Sequence, residues 1–196
     1  MSDGKARTAA LALAIGALAL AGCGSSQGGD YGGQHPDYAT ALAGSPAPLA
    51  ALHRQGDDLL SGGKGAYEAQ LRGLRGYPAV VNIWASWCGP CRFEFHHFQE
   101  AAAHYGKRVA FLGVDSEDSD DAAANFLEEA PVPYPSYTDP DKDIAESIGA
   151  SLGYPDTAFY NRKGVLVHLK QGPYSKASEL RADIERFALD GGAGSG

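Results

Sequence analysis

Two cysteines separated by two residues, Cys88-Gly89-Pro90-Cys91, are the part of this chain best suited to chemistry. They follow an apolar run, 79–85, rich in β-branched residues, which reads as a strand buried on both faces. Beyond Pro90 the apolar positions Cys91, Phe95, Phe98, Ala102 and Tyr105 fall 4, 3, 4 and 3 apart, one face of a helix. Proline is tolerated in a first helical turn, where its missing N–H would lack a partner anyway. The pair therefore sits where a buried strand turns into a helix. Residues three apart there are neighbours on one face, and Cα atoms about 4.4–6.8 Å apart can carry a disulfide. Cys88, the outer one, meets unpaired N–H groups and the positive end of the helix dipole. Both favour a thiolate and can lower a thiol pKa from about 8.5 into the range ~3.5–7.5. Cys91, one turn further in, is expected to be buried. The pattern predicts one thiol that attacks and one that resolves.

The stretch Val81-Asn82-Ile83-Trp84-Ala85-Ser86-Trp87-Cys88-Gly89-Pro90-Cys91-Arg92-Phe93-Glu94 resembles the thioredoxin superfamily. More narrowly, it is similar to the TlpA/ResA-type thiol-disulfide oxidoreductases, membrane-anchored bacterial proteins that face outside the cytoplasm. The likeness covers roughly Tyr67 to Leu189. It implies an α/β, thioredoxin-like fold: a mixed central β-sheet flanked by helices on both faces. It also implies thiol–disulfide exchange at Cys88 and Cys91, with no organic cofactor and no metal. Tyr154-Pro155 matches the cis-proline that faces the cysteines in this superfamily, holding backbone open for a substrate segment and crowding out metal ions. Glu94 stands where these proteins carry a glutamate that helps proton transfer; a solvent-facing helix glutamate is the other reading. Asn82 takes the place of the buried aspartate of ordinary thioredoxins and cannot titrate. Trp87, Gly89, Pro90 and Tyr154 are assigned to the substrate groove, Trp87 at its rim, while Trp84 suits either core or rim. His96 departs from the pattern, which has a helix-kinking proline there. Adjacent histidines point about 100° apart on a helix and rarely share a metal. His96-His97 is read as polar surface, although a histidine beside two thiols also suits copper.

Three cysteines leave one over. Lys5 and Arg7 precede an apolar stretch, 9–21, too short to span a bilayer, which needs about 20 residues. Leu20-Ala21-Gly22-Cys23 resembles a bacterial lipobox, which implies cleavage before Cys23 and its lipidation. A plain secretory signal and an uncleaved anchor are the other readings. The expected organisation is a signal peptide at 1–22, a flexible tether at 23–48, a thioredoxin-like domain with an N-terminal helical extension at 49–190, and a disordered tail at 191–196. Localisation follows: the outer face of the cell membrane, lipid-anchored through Cys23. In that oxidising compartment a disulfide is normal. A pair three residues apart closes almost no loop, so it makes a poor staple and a plausible redox centre.

The formal charge of −8 argues against nucleic acid as a partner. Gly62-Gly63-Lys64-Gly65 lacks the spacing of a phosphate loop. The acidic run 115–121 lacks that of a calcium-binding loop and is read as helix caps and first-turn residues. The remaining pattern predicts a short helix over 49–60, a helix over 66–74, a strand over 109–114 and a helix to about Ala130. An extended loop at Pro131, Pro133 and Pro135 should follow, then a short helix carrying Ile144 and Ile148. A hairpin is expected around 161–164, then a last helix over 175–189. Gly-Pro between the cysteines resembles reducing members. The expected partners are therefore disulfides of secreted proteins or cytochrome c apoproteins, and a membrane-bound electron donor or acceptor. Two rivals are weighed. A peroxiredoxin-like peroxidase lacks its Pro-x-x-x-Thr-x-x-Cys motif here, and a membrane-tethered copper chaperone would want three residues between the cysteines.

Overall fold

The apolar run after Pro78 forms β2, Ala79–Trp84, buried at every residue. In the computed structural model, which describes Met1, residues 35–150 and residues 152–190, this strand lies inside a six-stranded sheet. Cys23, the signal and most of the tether lie outside the described residues, as does the tail 191–196. The other strands are β1 (Leu59–Leu60), β3 (Ala110–Ser116), β4 (Ser136–Asp139), β5 (Asp156–Tyr160) and β6 (Leu166–Gln171). Their order across the sheet is β1-β4-β3-β2-β5-β6. Pairing is parallel from β1 to β2 and antiparallel at β2–β5 and β5–β6. The sheet is mixed, as expected.

Helices cover both faces. Strand alternation sends Val80, Trp84, Phe111 and Phe159 to one side, against Phe95 and Phe98 of α4 (Gly89–Tyr105) and Phe126 of α5 (Asp120–Glu129). Leu180 of α7 (Ala177–Asp183) completes that layer. Val81, Ile83, Leu112 and Ala158 point the other way, onto Leu49 and Leu52 of α2 (Ala47–His53) and Tyr67 of α3 (Gly63–Gly73). Ile144 of α6 (Asp143–Ser147) joins them. Between the layers Trp84 is fully buried and donates its Nε1–H to Ser136 Oγ at 3.2 Å. That crossing needs Gly113 beneath it. A Cβ there would overlap Ser136 Oγ and sit 2.9 Å from the indole nitrogen.

Several elements differ from expectation for local reasons. Leu59 and Leu60, expected within a helix over 49–60, form the short edge strand β1 instead, after α2 stops at His53. Two residues carry no readable period, and only pairing with Ser136 and Tyr137 makes them a strand. The helix expected over 66–74 begins earlier, inside the glycine stretch, as α3. The proline-rich loop is followed by the unexpected strand β4, whose polar sequence Ser-Tyr-Thr-Asp hides its burial. Within the segment read as a tether, residues 38–48 are partly helical and packed. A short helix α1 (Tyr38–Ala41) is capped by Asp37, Tyr38 donates to Pro131 O at 2.9 Å, and Leu42 is buried. The last helix is shorter in α form. After Asp183 it winds wider, closing with Asp190 N–H to Glu185 O at 2.9 Å, five residues back.

Candidate active site

Cys88 ends the loop after β2 and caps α4. It is bonded to Cys91, with Cα atoms 5.2 Å apart. Cys88 Sγ accepts the Cys91 N–H at 3.2 Å. That donor is one of the unpaired amides of the first turn, so the sulfur occupies the place a capping oxygen usually takes. The same bond and the helix dipole would hold negative charge on Cys88 once the disulfide is opened. Cys91 is fully buried, and Cys88 is itself only 5% exposed. Gly89, Pro90 and Trp87 stand in solvent around it, with Trp87 61% exposed. The Tyr154–Pro155 bond is cis; Pro155 is buried and Tyr154 half-buried. Trp87 and Tyr154 meet edge to face at 5.9 Å. Trp84, by contrast, is core.

One loop holds this rim. Glu117, at φ 55°, accepts the Trp87 indole N–H on its carbonyl at 2.9 Å and the Tyr154 hydroxyl on its carboxylate at 3.0 Å. The Tyr154 hydroxyl oxygen also lies 2.9 Å from Ser116 Oγ, and Lys142 pairs with Glu117 at 3.2 Å. Next in sequence, Asp118 accepts the Ser86 N–H of the cysteine loop. Arg92 ties α4 to α5 through Glu129 at 2.7 Å and stacks on Phe126.

The acidic run is therefore more than caps. Ser119 caps α5, with Asp120 and Asp121 in its first turn as expected. Asp115, however, lies within β3 opposite Trp84 and is buried. Burial first, then the neighbouring Asp118, pushes its carboxyl up to about 8. A carboxyl whose folded pKa is raised contributes full stability below its unfolded value. It loses that contribution as pH rises to its folded value. Asp115→Asn is thus expected to raise the melting temperature at pH 8.5, with the gain shrinking towards zero at pH 4. Thermal unfolding at the two pH values checks this; an equal change at both would contradict it.

Glu94 is not solvent-facing. It is wholly buried, and its Oε2 accepts the Tyr174 N–H at 2.7 Å, while Oε1 has no partner among the described residues. Burial pushes its carboxyl up to about 8, against the pull of the Tyr174 amide and of Lys170; Asp156 adds to the rise. Asn82 is buried as well, its side-chain amide unpaired among the described residues. α4 runs unbroken through His96. His96 is exposed, as surface; His97 is buried with its ring 5.9 Å from Phe93, so the polar-surface reading fails for it. Sequence reasoning missed Asp115, Asp118, Asp156, Lys170 and Tyr174. Only Asp156, directly after the proline, carried a positional signal.

Residues 42–184 match the redoxin family. The thiol:disulfide interchange protein DsbE of Pseudomonas fluorescens biotype C is 37% identical over 94 residues, covering 47% of this chain and 51% of that protein. The thiol-disulfide oxidoreductase ResA of Bacillus subtilis is 27% identical over 109 residues, 55% of this chain and 60% of that one. The chain thus spans about half of the length of the curated relatives it matches. Among solved structures, MTB DsbF in its mixed oxidized and reduced forms is similar with a TM-score of 0.55 and 27% identity, covering 60% of this chain and 85% of that one.

Proposed function

Since the chain belongs to the redoxin family, in the DsbE/ResA-type group of the thioredoxin superfamily, we propose that it is a thiol-disulfide oxidoreductase acting outside the cytoplasm on protein disulfides. The observation that carries this reading is the Cys88–Cys91 bond at the head of α4, with the outer sulfur accepting a first-turn amide. In the reduced protein the Cys88 thiolate attacks a substrate disulfide, forms a mixed disulfide and expels one substrate thiolate. In the fraction of molecules whose Glu94 is ionised, a fraction that grows as pH approaches 8, Cys91 gives its proton to that carboxylate and attacks Cys88 Sγ. The second substrate sulfur leaves and takes that proton. Two electrons pass to the substrate, and Cys88–Cys91 is left oxidised. A membrane-bound dithiol or other electron donor then restores the pair. Glu94 suits its step because an acid with a pKa near that of a thiol can both take and return a proton at modest cost.

The exposed Trp87 and the half-buried Tyr154 supply apolar surface beside the sulfurs, fitting an extended polypeptide rather than a small thiol. Secreted proteins and cytochrome c apoproteins are the substrates proposed, with Cys23 lipidated and holding the domain at the membrane. The test is reduction of insulin disulfides by the dithiothreitol-cycled protein, together with the potential of the Cys88/Cys91 couple in glutathione buffers. Acceleration over dithiothreitol alone supports the proposal. An unaccelerated reaction with stoichiometric Cu(I) binding by the reduced pair would replace it with the copper-chaperone reading.

A further inference from the structure

Asp156 follows the cis-proline directly and is buried at the start of β5, opposite Ile83 on one side and Gln171 on the other. Its Oδ1 accepts the Gly172 N–H at 3.2 Å; its Oδ2 is buried without a partner among the described residues. Two residues further along the same turn, Tyr174 donates its N–H to Glu94. Two carboxyls from different elements therefore grip one turn, 172–174, by its amides. Lys170 grips the same turn by its carbonyls, with Nζ at 3.2 Å from Gln171 O, 2.6 Å from Gly172 O and 3.0 Å from Pro173 O. Its ammonium also lies 4.6 Å from the centre of the Tyr174 ring. Facing this group from α7, Asp183 accepts the Tyr174 hydroxyl at 2.8 Å, and Glu179 accepts the Ser175 N–H at 3.1 Å.

We propose that Asp156 and Lys170 are positioning residues for proton transfer at the cysteine pair: they lock the turn that holds Glu94, and their opposite charges tune how readily it releases its proton. The geometry gives each a reason to be there. An aspartate buried beside a proline at a strand start costs desolvation, which the single bond from Gly172 to Oδ1 offsets only in part. Burial raises the Asp156 carboxyl, against the Gly172 amide and Lys170. Glu94 feels both, Lys170 favouring its anion and Asp156 opposing it. The link to catalysis rests on the oxidoreductase reading above; the electrostatic coupling does not.

The experiment follows the Glu94 carboxyl by 13C NMR titration in the oxidised full-length chain, its signal assigned by its loss in Glu94→Gln. Asp156→Asn removes an anion and should lower the Glu94 midpoint. Lys170→Met removes a cation and should raise it, each by on the order of one pH unit. Lys170→Arg should restore the wild-type value. A merely structural role would loosen the same turn in both variants and move both midpoints in the same direction, through loss of the Tyr174 amide and entry of solvent alike. A fall in Lys170→Met, or no shift in either variant, overturns the proposal. Should Asp156→Asn not fold, Asp156→Ser takes its place, because opposite shifts in the two charge-removing variants are what loosening of one turn cannot give. The titration needs no turnover. Shifted midpoints in a protein that cannot reduce insulin would sink the oxidoreductase reading and leave this coupling standing.

Discussion

Cys88→Ala is expected to abolish insulin reduction, and Cys91→Ala to stall it one step later with substrate still attached. The asymmetry comes from where α4 begins. Cys88 caps the helix and meets the rim, whereas Cys91 is fully buried a turn inside. Only the outer sulfur can be reached by a protein disulfide, so only its loss removes the attack itself. The rate should fall by at least about 10³-fold, removal of a nucleophile being among the costliest changes an enzyme can suffer. Without Cys91 the mixed disulfide has no internal thiol to resolve it. It should then accumulate as a band on non-reducing gels that dithiothreitol collapses. The reverse pattern, adducts on Cys91 in Cys88→Ala and none on Cys88, would reverse the assigned roles.

The second large effect belongs to Glu94. With its carboxyl raised to about 8, chiefly by burial, it holds a proton at neutral pH and exchanges it readily just above. Glu94→Gln keeps the shape and the acceptor for the Tyr174 amide but cannot carry a proton. Resolution should slow by roughly 10²-fold, the lower end of what a positioned acid–base group contributes. The limb of the pH–rate profile near 8 should disappear. Stability should move the other way. The wild-type carboxyl favours the fold fully below about 4.5 and loses that contribution as pH rises to about 8, so the variant gains relative stability in alkali. Rapid-mixing kinetics of the preformed mixed disulfide across pH 6–10 measures the first effect. An unaltered profile would leave Glu94 with a structural role alone.

How far these residues could be read from the sequence depended on whether the signal was local. The run 79–84, the cap and stripe of α4 and the hairpin at 161–164 are each written in adjacent residues, and the structure follows them closely. Glu94 could be placed on α4 but not judged buried, because its cover comes from Tyr174, 80 residues away. Asp115 looked like part of a solvated acidic run; its burial is a consequence of pairing with Trp84 across the sheet. β4 lay hidden because a strand enclosed by other elements need not be apolar if its Ser136 and Asp139 side chains find partners. Ser136 takes the Trp84 indole, and Asp139 receives the Ile144 and Ala145 amides at 2.9 and 3.0 Å.

The dipeptide Glu117-Asp118 reaches Trp87, Tyr154 and Ser86 at once. Both rim aromatics and the start of the cysteine loop are thereby strung from a single peg. Trp87 and Tyr154 thus share one anchor, and a change at that anchor reaches both rings together. Lengthening the 117–118 corner by one residue would therefore displace both rings and the start of the cysteine loop at once, which no change to a single ring would do.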